Sequence, residues 1–421
     1  MFPHTYQHSY PHTKPFNYQG FEGLSTYPQP LLLRLRIFYY IFTHKNPPER
    51  SYTHMKIICT KSNLVKGVNI VSKAVPSKTT MPILECILID ATTDIIKFTA
   101  NDMELGIETV VEGDIVQKGV VAIDAKIFSE IVRKLPDNEV VIECDSNLQT
   151  TITCEKAKFN ISSKSGDDFS YLPYVEKTDM ITLSQFTLKE IIRQPNFSIA
   201  DNDSNKLMTG ELFQIQDNVL KVVSLDGHRI SIRKTELKNN YQPRKVVVPG
   251  KTLMEVSKIL SGEAESEVNI SFTNNHIVFE FDNTVVVSRL IEGEYFKIDQ
   301  MLSSDYETKV KINKREFLNC IDRATLLIKE GDKKPIIINI LDDVMELKIK
   351  SQIGSMDEEI MIAKEGRDLL IGFNPKFLID ALRVIDDEEV TLYLMNPKAP
   401  CFIKNDEEDY IYLILPVNFN T

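Results

Sequence analysis

The 421-residue sequence contains no tryptophan, and beyond residue 54 it has only two histidines, His228 and His276. Histidine is the most common general base and a frequent metal ligand. With only two histidines, a histidine-based catalytic triad or metal site is not expected in this part of the chain. The six cysteines are scattered along the chain without any CxxC pair: Cys59, Cys86, Cys144, Cys154, Cys320 and Cys401. This spacing predicts reduced thiols in the core of a cytoplasmic protein. We expect neither a bound metal nor a cofactor.

Motifs for nucleotide-dependent and acid/base chemistry are missing or incomplete. The chain has no GxGxxG, and its GKT at residues 250–252 cannot complete a P-loop because position 245 is Lys245 and not glycine. Asp226 and His228 could form an acid/base pair, but an Asp-Gly turn followed by a pocket-lining histidine explains them better. We therefore expect no enzymatic activity, and a hydrolase using Asp226 and His228 is an alternative.

Long apolar runs are absent as well. Residues 31–42 are apolar except where Arg34 and Arg36 interrupt them, and they are far shorter than the roughly 20 residues that span a bilayer. We expect no membrane association. Residues 1–54 hold seven prolines, twelve aromatic residues and five of the seven histidines, a composition unlike the rest of the chain. We predict that residues 1–54 are a disordered or non-native extension and that the globular sequence begins at Met55.

The chain is acidic, with 60 Asp and Glu against 49 Lys and Arg and a formal net charge of −11. The extension carries +3 of that total, so residues 55–421 carry −14. Binding to phosphate groups needs clustered Lys and Arg. Nucleic-acid binding by this chain therefore requires that its positive charge be concentrated on one surface.

The sequence repeats about every 125 residues. Residues 122–143, 247–271 and 371–394 share a basic residue, a short amphipathic helix, an acidic turn and a strand. A second helix precedes each, at residues 64–75, 188–197 and 317–328, and the remainder is rich in Val, Ile, Thr and Phe strands. We predict an α+β protein of three repeated domains, each with two helices on strand-rich sheets. The predicted boundaries are 55–178, 179–302 and 303–421.

Matched basic residues lie on the polar face of the repeated helices. At about 100° per residue, the apolar residues of each helix share one face and two basic residues lie opposite. The pairs are Lys126 and Arg133, Lys251 and Lys258, and Lys376 and Arg383, and Lys66 and Lys73 extend the pattern to the first helix. Lysine and arginine suit any solvent face, but threefold recurrence favours a shared function. A basic inner surface would attract the DNA backbone without reading bases, while an acidic exterior would repel DNA.

Several segments resemble bacterial DNA sliding clamps, the beta subunits of DNA polymerase III. They are residues 55–89, FTANDMELGIE (98–108), LDGHRISIR (225–233), VVVSRLIEGEY (285–295) and YLILPV (412–417). The resemblance extends over essentially all of residues 55–421. It implies three similar domains per chain and a head-to-tail homodimer that closes into a ring of six domains, with helices around the hole.

The resemblance implies a processivity factor in DNA replication, which encircles double-stranded DNA and slides on it independently of sequence. The implied protein partners are the DNA polymerase III catalytic subunit, the clamp loader and other proteins with a clamp-binding motif. Positions that match DNA contacts of the family add Lys78 and Lys221 to the cations above. Asn205 stands where the family usually has arginine.

The resemblance further implies a hydrophobic pocket between the second and third domains, which docks short partner peptides. Phe296 stands where proline is common, Leu225 where threonine is usual, and Asn418 where a basic residue is common. The matching positions are Met208, Leu225, Gly227, His228, Arg229, Ile230, Phe296, Gln300, Met301, Leu413, Ile414, Leu415, Pro416 and Val417.

A second alternative keeps the fold but changes the function. A clamp-fold scaffold could bind proteins without encircling DNA. Reversing the six matched helix cations to glutamate distinguishes the two hypotheses, because only a ring that holds DNA needs them.

Overall fold

The computed structural model describes residues 54–419 except residues 174, 176–179, 202–204, 303–304 and 330–333. The predicted extension therefore lies outside the described residues, apart from His54. The three predicted repeats follow one another along the described chain, and each contains two α-helices. The predicted α+β repeat is confirmed in all three copies.

The first repeat begins with a strand that runs directly into a helix. A short 3-10 turn at Ser72–Ala74 follows that helix, and a second at Pro82–Glu85 precedes the next strand. The elements are β1 Met55–Thr60, α1 Lys61–Val71, β2 Cys86–Asp90, β3 Ile96–Asn101, β4 Leu105–Val111, β5 Asp114–Gln117, β6 Val120–Asp124, α2 Ala125–Lys134, β7 Glu139–Cys144, β8 Gln149–Cys154, β9 Ala157–Ser162 and β10 Lys164–Ser165.

The second repeat has the same order, but its middle strands are long and continuous. A 3-10 turn at Lys206–Thr209 precedes them, and another at Ile298–Gln300 follows the last strand. The elements are β11 Ile181–Ser184, α3 Gln185–Asn196, β12 Gly210–Leu225, β13 Arg229–Pro249, α4 Gly250–Ile259, β14 Glu267–Phe272, β15 His276–Phe281 and β16 Thr284–Arg289.

The third repeat returns to the pattern of short strands seen in the first. Its last strand, β25, is followed by a tail that runs to the end of the described chain. The elements are β17 Thr308–Asn313, α5 Lys314–Thr325, β18 Ile336–Ile340, β19 Val344–Lys350, β20 Ser355–Met361, β21 Ala363–Gly366, β22 Leu369–Phe373, α6 Pro375–Val384, β23 Glu389–Leu394, β24 Cys401–Lys404 and β25 Tyr410–Ile414.

Polar caps fix where the helices begin. The side chains of Thr60, Ser184 and Asn313 accept backbone N–H groups at the starts of α1, α3 and α5. These caps satisfy donors that have no partner within the helix, so each helix begins three residues before the first apolar residue that predicted it. Asp124 and Asn374 cap α2 and α6 in the same way.

Sheets run across the boundaries between repeats. Strand β4 of the first repeat pairs with β16 of the second, from Leu105 opposite Ser288 to Thr109 opposite Thr284. Strand β13 of the second repeat pairs with β25 of the third. Consecutive repeats are therefore joined by antiparallel ladders of backbone hydrogen bonds. Within the described chain, β9 and β20 each lie at the edge of a sheet.

The apolar faces of the helices pack on one side of these sheets. Phe128 of α2 and Phe98 of β3 contact edge to face, with ring centroids 6.0 Å apart, and both are buried. All six cysteines are buried and free, as expected for core thiols. Burial raises the pKa of the Cys59 thiol to about 12, so it stays protonated and unreactive at neutral pH.

Candidate functional sites: a basic helical face and an apolar pocket

The matched helix cations point away from the core, as their spacing predicts. Lys126 and Arg133 on α2 are exposed, whereas Phe128, Ile131 and Val132 on the same helix are buried. The same division holds in the other repeats for Lys251 and Lys258 on α4 and for Lys376 and Arg383 on α6. Arg133, Lys258 and Arg383 also lie in the last turn of their helices, where a cation interacts favourably with the helix dipole.

Three further lysines predicted to face DNA lie in the first repeat. Lys66 lies on α1 and is exposed, Lys73 lies in the 3-10 turn after it and is half-buried, and Lys78 is exposed in the following loop. Arg133 reaches across to α1, where its Nη2 donates to Asn69 Oδ1 at 2.8 Å. The polar faces of α1 and α2 are therefore held side by side.

Three of the four matched cations of the second and third repeats have acidic neighbours. Lys251 Nζ lies 2.6 Å from Oδ2 of Asp102, which belongs to the first repeat, so this ion pair joins two repeats. Lys258 pairs with Glu255 at 2.8 Å, and Arg383 pairs with Asp322 at 3.3 Å. For Lys66, Lys73 and Lys126, no carboxylate partner is present among the described residues. The unneutralised positive charge is thus concentrated in the first repeat.

Lys221 does not share the surface of the helix cations. It lies on β12 between Leu220 and Val222, which pack into the core beneath the helices, so strand alternation places Lys221 on the opposite face of the sheet. Its Nζ lies 2.9 Å from Asp299 Oδ1. Lys221 therefore lies on a different surface from the helix cations with which the resemblance grouped it. Asn205 also has a local role, because its side chain accepts the Leu207 N–H at the start of a 3-10 turn.

The structure brings ten of the predicted pocket residues around one cavity of about 280 Å³ between the second and third repeats. Pro400, which precedes β24, also lines it, and nothing in the sequence pattern pointed to that residue. The predicted residues at the cavity are Met208, Leu225, Gly227, His228, Arg229, Ile230, Phe296, Met301, Leu413 and Leu415.

Four predicted pocket residues lie elsewhere. Gln300 lines a neighbouring cavity, and Ile414 packs into the core of the third repeat because it alternates with Leu413 along β25. Val417 donates its N–H to Gly372 O at 2.8 Å and so continues the sheet edge. Pro416 precedes it and does not line the cavity.

The pocket is supported from below by Arg229, whose side chain is only 6% exposed. Its guanidinium bonds to Asp226 at 2.9 Å and to Asp380 of α6 at 2.7 Å. It also lies between the rings of Phe197 and Phe377, 5.1 and 4.5 Å from their centroids. Because these partners come from both the second and the third repeat, Arg229 fixes the two walls of the pocket relative to each other.

The Asp226–His228 turn has a structural role, because the Asp226 side chain holds the backbone of the turn. Asp226 Oδ1 accepts the backbone N–H groups of His228 and Arg229 at 3.0 and 3.1 Å. Gly227 has φ +84°, a conformation that favours glycine. The His228 ring stacks on Phe377 with centroids 5.9 Å apart. In the described part of the chain, no hydrogen bond joins the His228 imidazole to the Asp226 carboxylate, which weighs against the hydrolase alternative.

Three sequence models of the DNA polymerase III beta subunit match the chain in order. The N-terminal domain model matches residues 55–173, the central domain model residues 182–297, and the C-terminal domain model residues 299–418. Together they cover most of the chain. The chain belongs to the DNA polymerase III beta subunit family.

Known members of this beta subunit family align along their whole length. A beta sliding clamp from Staphylococcus epidermidis is 34% identical over 374 residues, covering 86% of this chain and 99% of the relative. A structure described as a DNA polymerase III beta subunit from Eubacterium rectale is 73% identical, with TM-score 0.85 over 87% of this chain and 100% of that one. The Bacillus subtilis sliding clamp is 35% identical, with TM-score 0.84 and the same coverage. The described helices include none that is long and apolar enough to cross a membrane.

The position between the first and second repeats that is equivalent to the pocket is filled by the chain itself. Asn101 and Gly106 flank the turn between β3 and β4. This turn is equivalent to the one between β12 and β13, which Leu225 and Ile230 flank at the pocket. There the chain's own Leu172 lies so close to Gly106 that a Cβ would be 2.0 Å from its Cδ2. Asn101 Nδ2 donates to Ser170 O at 3.2 Å. The linker between the first and second repeats thus occupies the position that is an open pocket between the second and third repeats.

Proposed function

We propose that this chain is a DNA polymerase processivity factor. Two copies form a closed ring that surrounds double-stranded DNA, slides along it independently of sequence and tethers the replicative polymerase. The observation that carries the proposal is the recurrence of exposed cations on matched helix faces in a chain whose net charge is −11. Cations on flexible side chains attract phosphates without fixing a register, which permits sliding. The names of the relatives, beta sliding clamps, support the same function.

The sheet topology supports a specific way of closing the ring. A strand of each of the first two repeats pairs with a strand of the next repeat. Strand β4, which follows the turn after β3, pairs with β16, the second strand of the hairpin β15–β16. Strand β13, which follows the turn after β12, pairs with β25, the second strand of the hairpin β24–β25. The third-repeat strand equivalent to β4 and β13 is β20, which follows the turn after β19. The first-repeat strand equivalent to β16 and β25 is β9, the second strand of the hairpin β8–β9. We infer that β20 of one copy pairs with β9 of the other, which gives two equivalent contacts about a twofold axis.

The register of the two internal junctions carries over to this contact. Glu108 stands opposite Val285, and Ile232 stands opposite Ile411. With the same register, we infer that Asp357 stands opposite the partner's Lys158. Met356 then stands opposite the partner's Phe159, an exposed aromatic residue on β9. Opposite charges and apolar side chains that face each other across an antiparallel pair stabilise it.

The pocket suits the tethering part of the function. An apolar cavity of about 280 Å³ suits the bulky side chains of a short partner peptide. The proposed partners are the DNA polymerase III catalytic subunit, the clamp loader and other proteins that carry a clamp-binding motif. The protein acts in the cytoplasm as an accessory subunit, without cofactor and without catalytic activity of its own.

Topological trapping on DNA tests the ring. The protein is loaded onto a nicked circular plasmid and recovered with the DNA by gel filtration, before and after the plasmid is cut once. We expect retention on the circle and release after cutting, because a closed ring slides off a free end. Equal retention on both forms would contradict encirclement, and failure to load at all would favour the protein-binding scaffold.

Tethering is tested separately at the pocket rim. Met301→Asp and Leu415→Asp change exposed pocket residues, so folding is retained. We expect each variant to stay trapped on circular DNA but no longer to stimulate the polymerase. The control is Met180→Asp, which changes an equally exposed methionine away from the pocket. Full stimulation by the pocket variants would place the tether elsewhere.

A further inference from the structure

A second and larger cavity adjoins the peptide pocket. It has a volume of about 570 Å³ and lies between strands β12 and β13 and the linker that follows β16. Phe296 lines both cavities, so a chain that leaves the pocket over this ring enters the second cavity. Phe296 is held in place by Tyr295, with ring centroids 5.5 Å apart at 81°.

The floor of the second cavity carries a positive charge. The side chain of Lys221 is 16% exposed, whereas the other charged residues that line the cavity are exposed to solvent. The partner of Lys221 is Asp299, whose side chain is 78% exposed and whose Oδ1 lies 2.9 Å from Lys221 Nζ. The cation is therefore fixed by the sheet, while its anion approaches from the solvent side. The exposed charged residues are Lys245, Glu292, Glu294, Lys297 and Asp299.

The surroundings of Asp299 favour a negative charge at this place. The hydrogen bond and charge of Lys221 hold the pKa of the Asp299 carboxyl below its usual value, and Lys245 and Lys234 lower it further. Asp299 belongs to the short 3-10 turn Ile298–Gln300, next to Met301 of the peptide pocket. An incoming carboxylate can therefore take the position of Asp299 beside Lys221 without disturbing a regular element.

We propose that this second cavity is an acid subsite, in which Lys221 binds an acidic side chain of the peptide docked in the neighbouring pocket. The proposal rests on the peptide-docking function proposed above and adds a chemical preference to it. Partners that carry Asp or Glu beside their apolar anchor residues bind more tightly than partners that carry Asn or Gln there. The acidic residue displaces Asp299 and forms a charge-assisted hydrogen bond to a half-buried ammonium group.

Fluorescence anisotropy with labelled peptides tests the acid subsite on the full-length protein. Each peptide carries Leu-Leu-Phe as its apolar anchor, with Glu on one flank or the other, and a matched peptide carries Gln at the same place. We expect one Glu peptide to bind about three- to tenfold more tightly than its Gln counterpart. Lys221→Gln should abolish that ratio and leave the affinity for the Gln peptides unchanged.

Two further variants sharpen the test. Asp299→Asn removes the internal competitor, so the preference for Glu should increase. Lys238→Gln is the control, because Lys238 forms a comparable ion pair with Glu267, 2.7 Å long, outside the cavity. It should keep the wild-type ratio.

The outcomes separate this inference from the proposed function. Equal binding of Glu and Gln peptides by the wild-type protein would overturn the acid subsite and leave the pocket intact. Failure of every peptide to bind would overturn both. If Lys221→Gln weakens DNA binding and leaves the peptide ratio unchanged, Lys221 is a DNA contact and the subsite does not exist.

Discussion

Arg229 shows how one residue couples the pocket to the fold. Its guanidinium is shared by two carboxylates and two aromatic rings from different repeats, and the Phe197 carbonyl oxygen accepts a further hydrogen bond at 2.7 Å. An arginine can satisfy this many partners because its planar group presents five donors. Removal of the side chain would leave two partly buried carboxylates without their counter-charge.

Arg229→Ala should lower the free energy of unfolding by about 3–5 kcal/mol, since it removes one partner of a buried charge network. Urea denaturation at fixed protein concentration measures this. The control is Arg367→Ala, which removes an arginine that is 79% exposed and pairs with Glu307 at 3.1 Å. That change should cost less than about 1 kcal/mol. Equal effects of the two substitutions would show that Arg229 contributes no more than a surface ion pair.

Glu211 on β12 is a fully buried carboxyl group. Asn196 Nδ2 donates to its Oε1 at 2.9 Å, while Oε2 has no partner among the described groups. Burial raises the pKa of Glu211 well above its usual value. The folded protein therefore keeps a proton that the unfolded chain releases, so folding is favoured at low pH and this contribution disappears as the pH rises.

Glu211→Gln should remove that pH dependence. Relative to the variant, the wild-type protein should become less stable as the pH rises from about 5 towards 8, by at most about 1.4 kcal/mol per pH unit. Urea denaturation at several pH values measures the difference. A difference that stays constant with pH would show that Glu211 is ionised in the folded protein.

Lys221 was grouped with the helix cations by the family resemblance, because the pattern of its own strand does not show which face it occupies. Strand alternation assigns faces only where one face is polar, and the segment Leu220 to Leu225 is apolar on both sides because core packs on one face and the linker on the other. The sequence pattern therefore could not tell which side Lys221 occupies. The ion pair between Lys251 and Asp102 was equally invisible, since it joins residues from different repeats.

At the scale of elements, the helices were predicted well and the sheets were not. Helix periodicity identified the six described helices, but it missed the polar first turns that the caps determine. It also placed two helix ends too late, at residue 75 where α1 ends at Val71 and at residue 328 where α5 ends at Thr325. Sheet pairing across repeats depends on contacts between strands far apart in sequence, such as β4 with β16. Local patterns contain no information on such pairs, so the junctions between repeats required the structure. The pocket was predicted only through the family resemblance, and not from the local pattern.

The inferred junction between β20 and β9 predicts a charge swap. Lys158→Glu places a carboxylate opposite Asp357 of the partner, so the dimer should dissociate at a concentration at least tenfold higher than for the wild type. Asp357→Lys in the same chain should restore dimerisation. Sedimentation velocity over a concentration series measures both.

Lys118→Glu serves as the control for this swap. Lys118 is an exposed lysine of the first repeat that pairs with Asp94 at 2.9 Å, away from β9. Its reversal should leave the dimer unchanged. A Lys158→Glu chain that dimerises normally, or a double variant that is not rescued, would contradict the inferred register.

At the scale of the whole molecule, the basic surface is uneven. Lys66, Lys73 and Lys126 of the first repeat have no carboxylate partner within the described chain. Three matched cations of the other repeats lie within 3.3 Å of a carboxylate oxygen. A cation already paired with a carboxylate releases fewer counterions when it meets a phosphate. The first repeat should therefore supply most of the salt-dependent attraction to DNA.

Two triple variants of equal charge test this. One changes Lys66, Lys73 and Lys126 to glutamine, and the other changes Lys251, Lys258 and Arg383. Removing one cation that binds a phosphate reduces the slope of log affinity against log salt by about 0.9. The first variant should reduce the slope by about 2 to 3 and the second by less than about 1, as measured by DNA-binding titrations at several salt concentrations. Equal reductions would show that the ion pairs open on DNA.

The segment around Leu172 also limits how many partners the assembly can serve. Because the first junction of each chain is filled by its own linker, the proposed two-chain ring has two internal docking sites and not four. If the proposed ring forms, at most two partner proteins dock on it at the same time, because Leu172 covers Gly106 at each first junction.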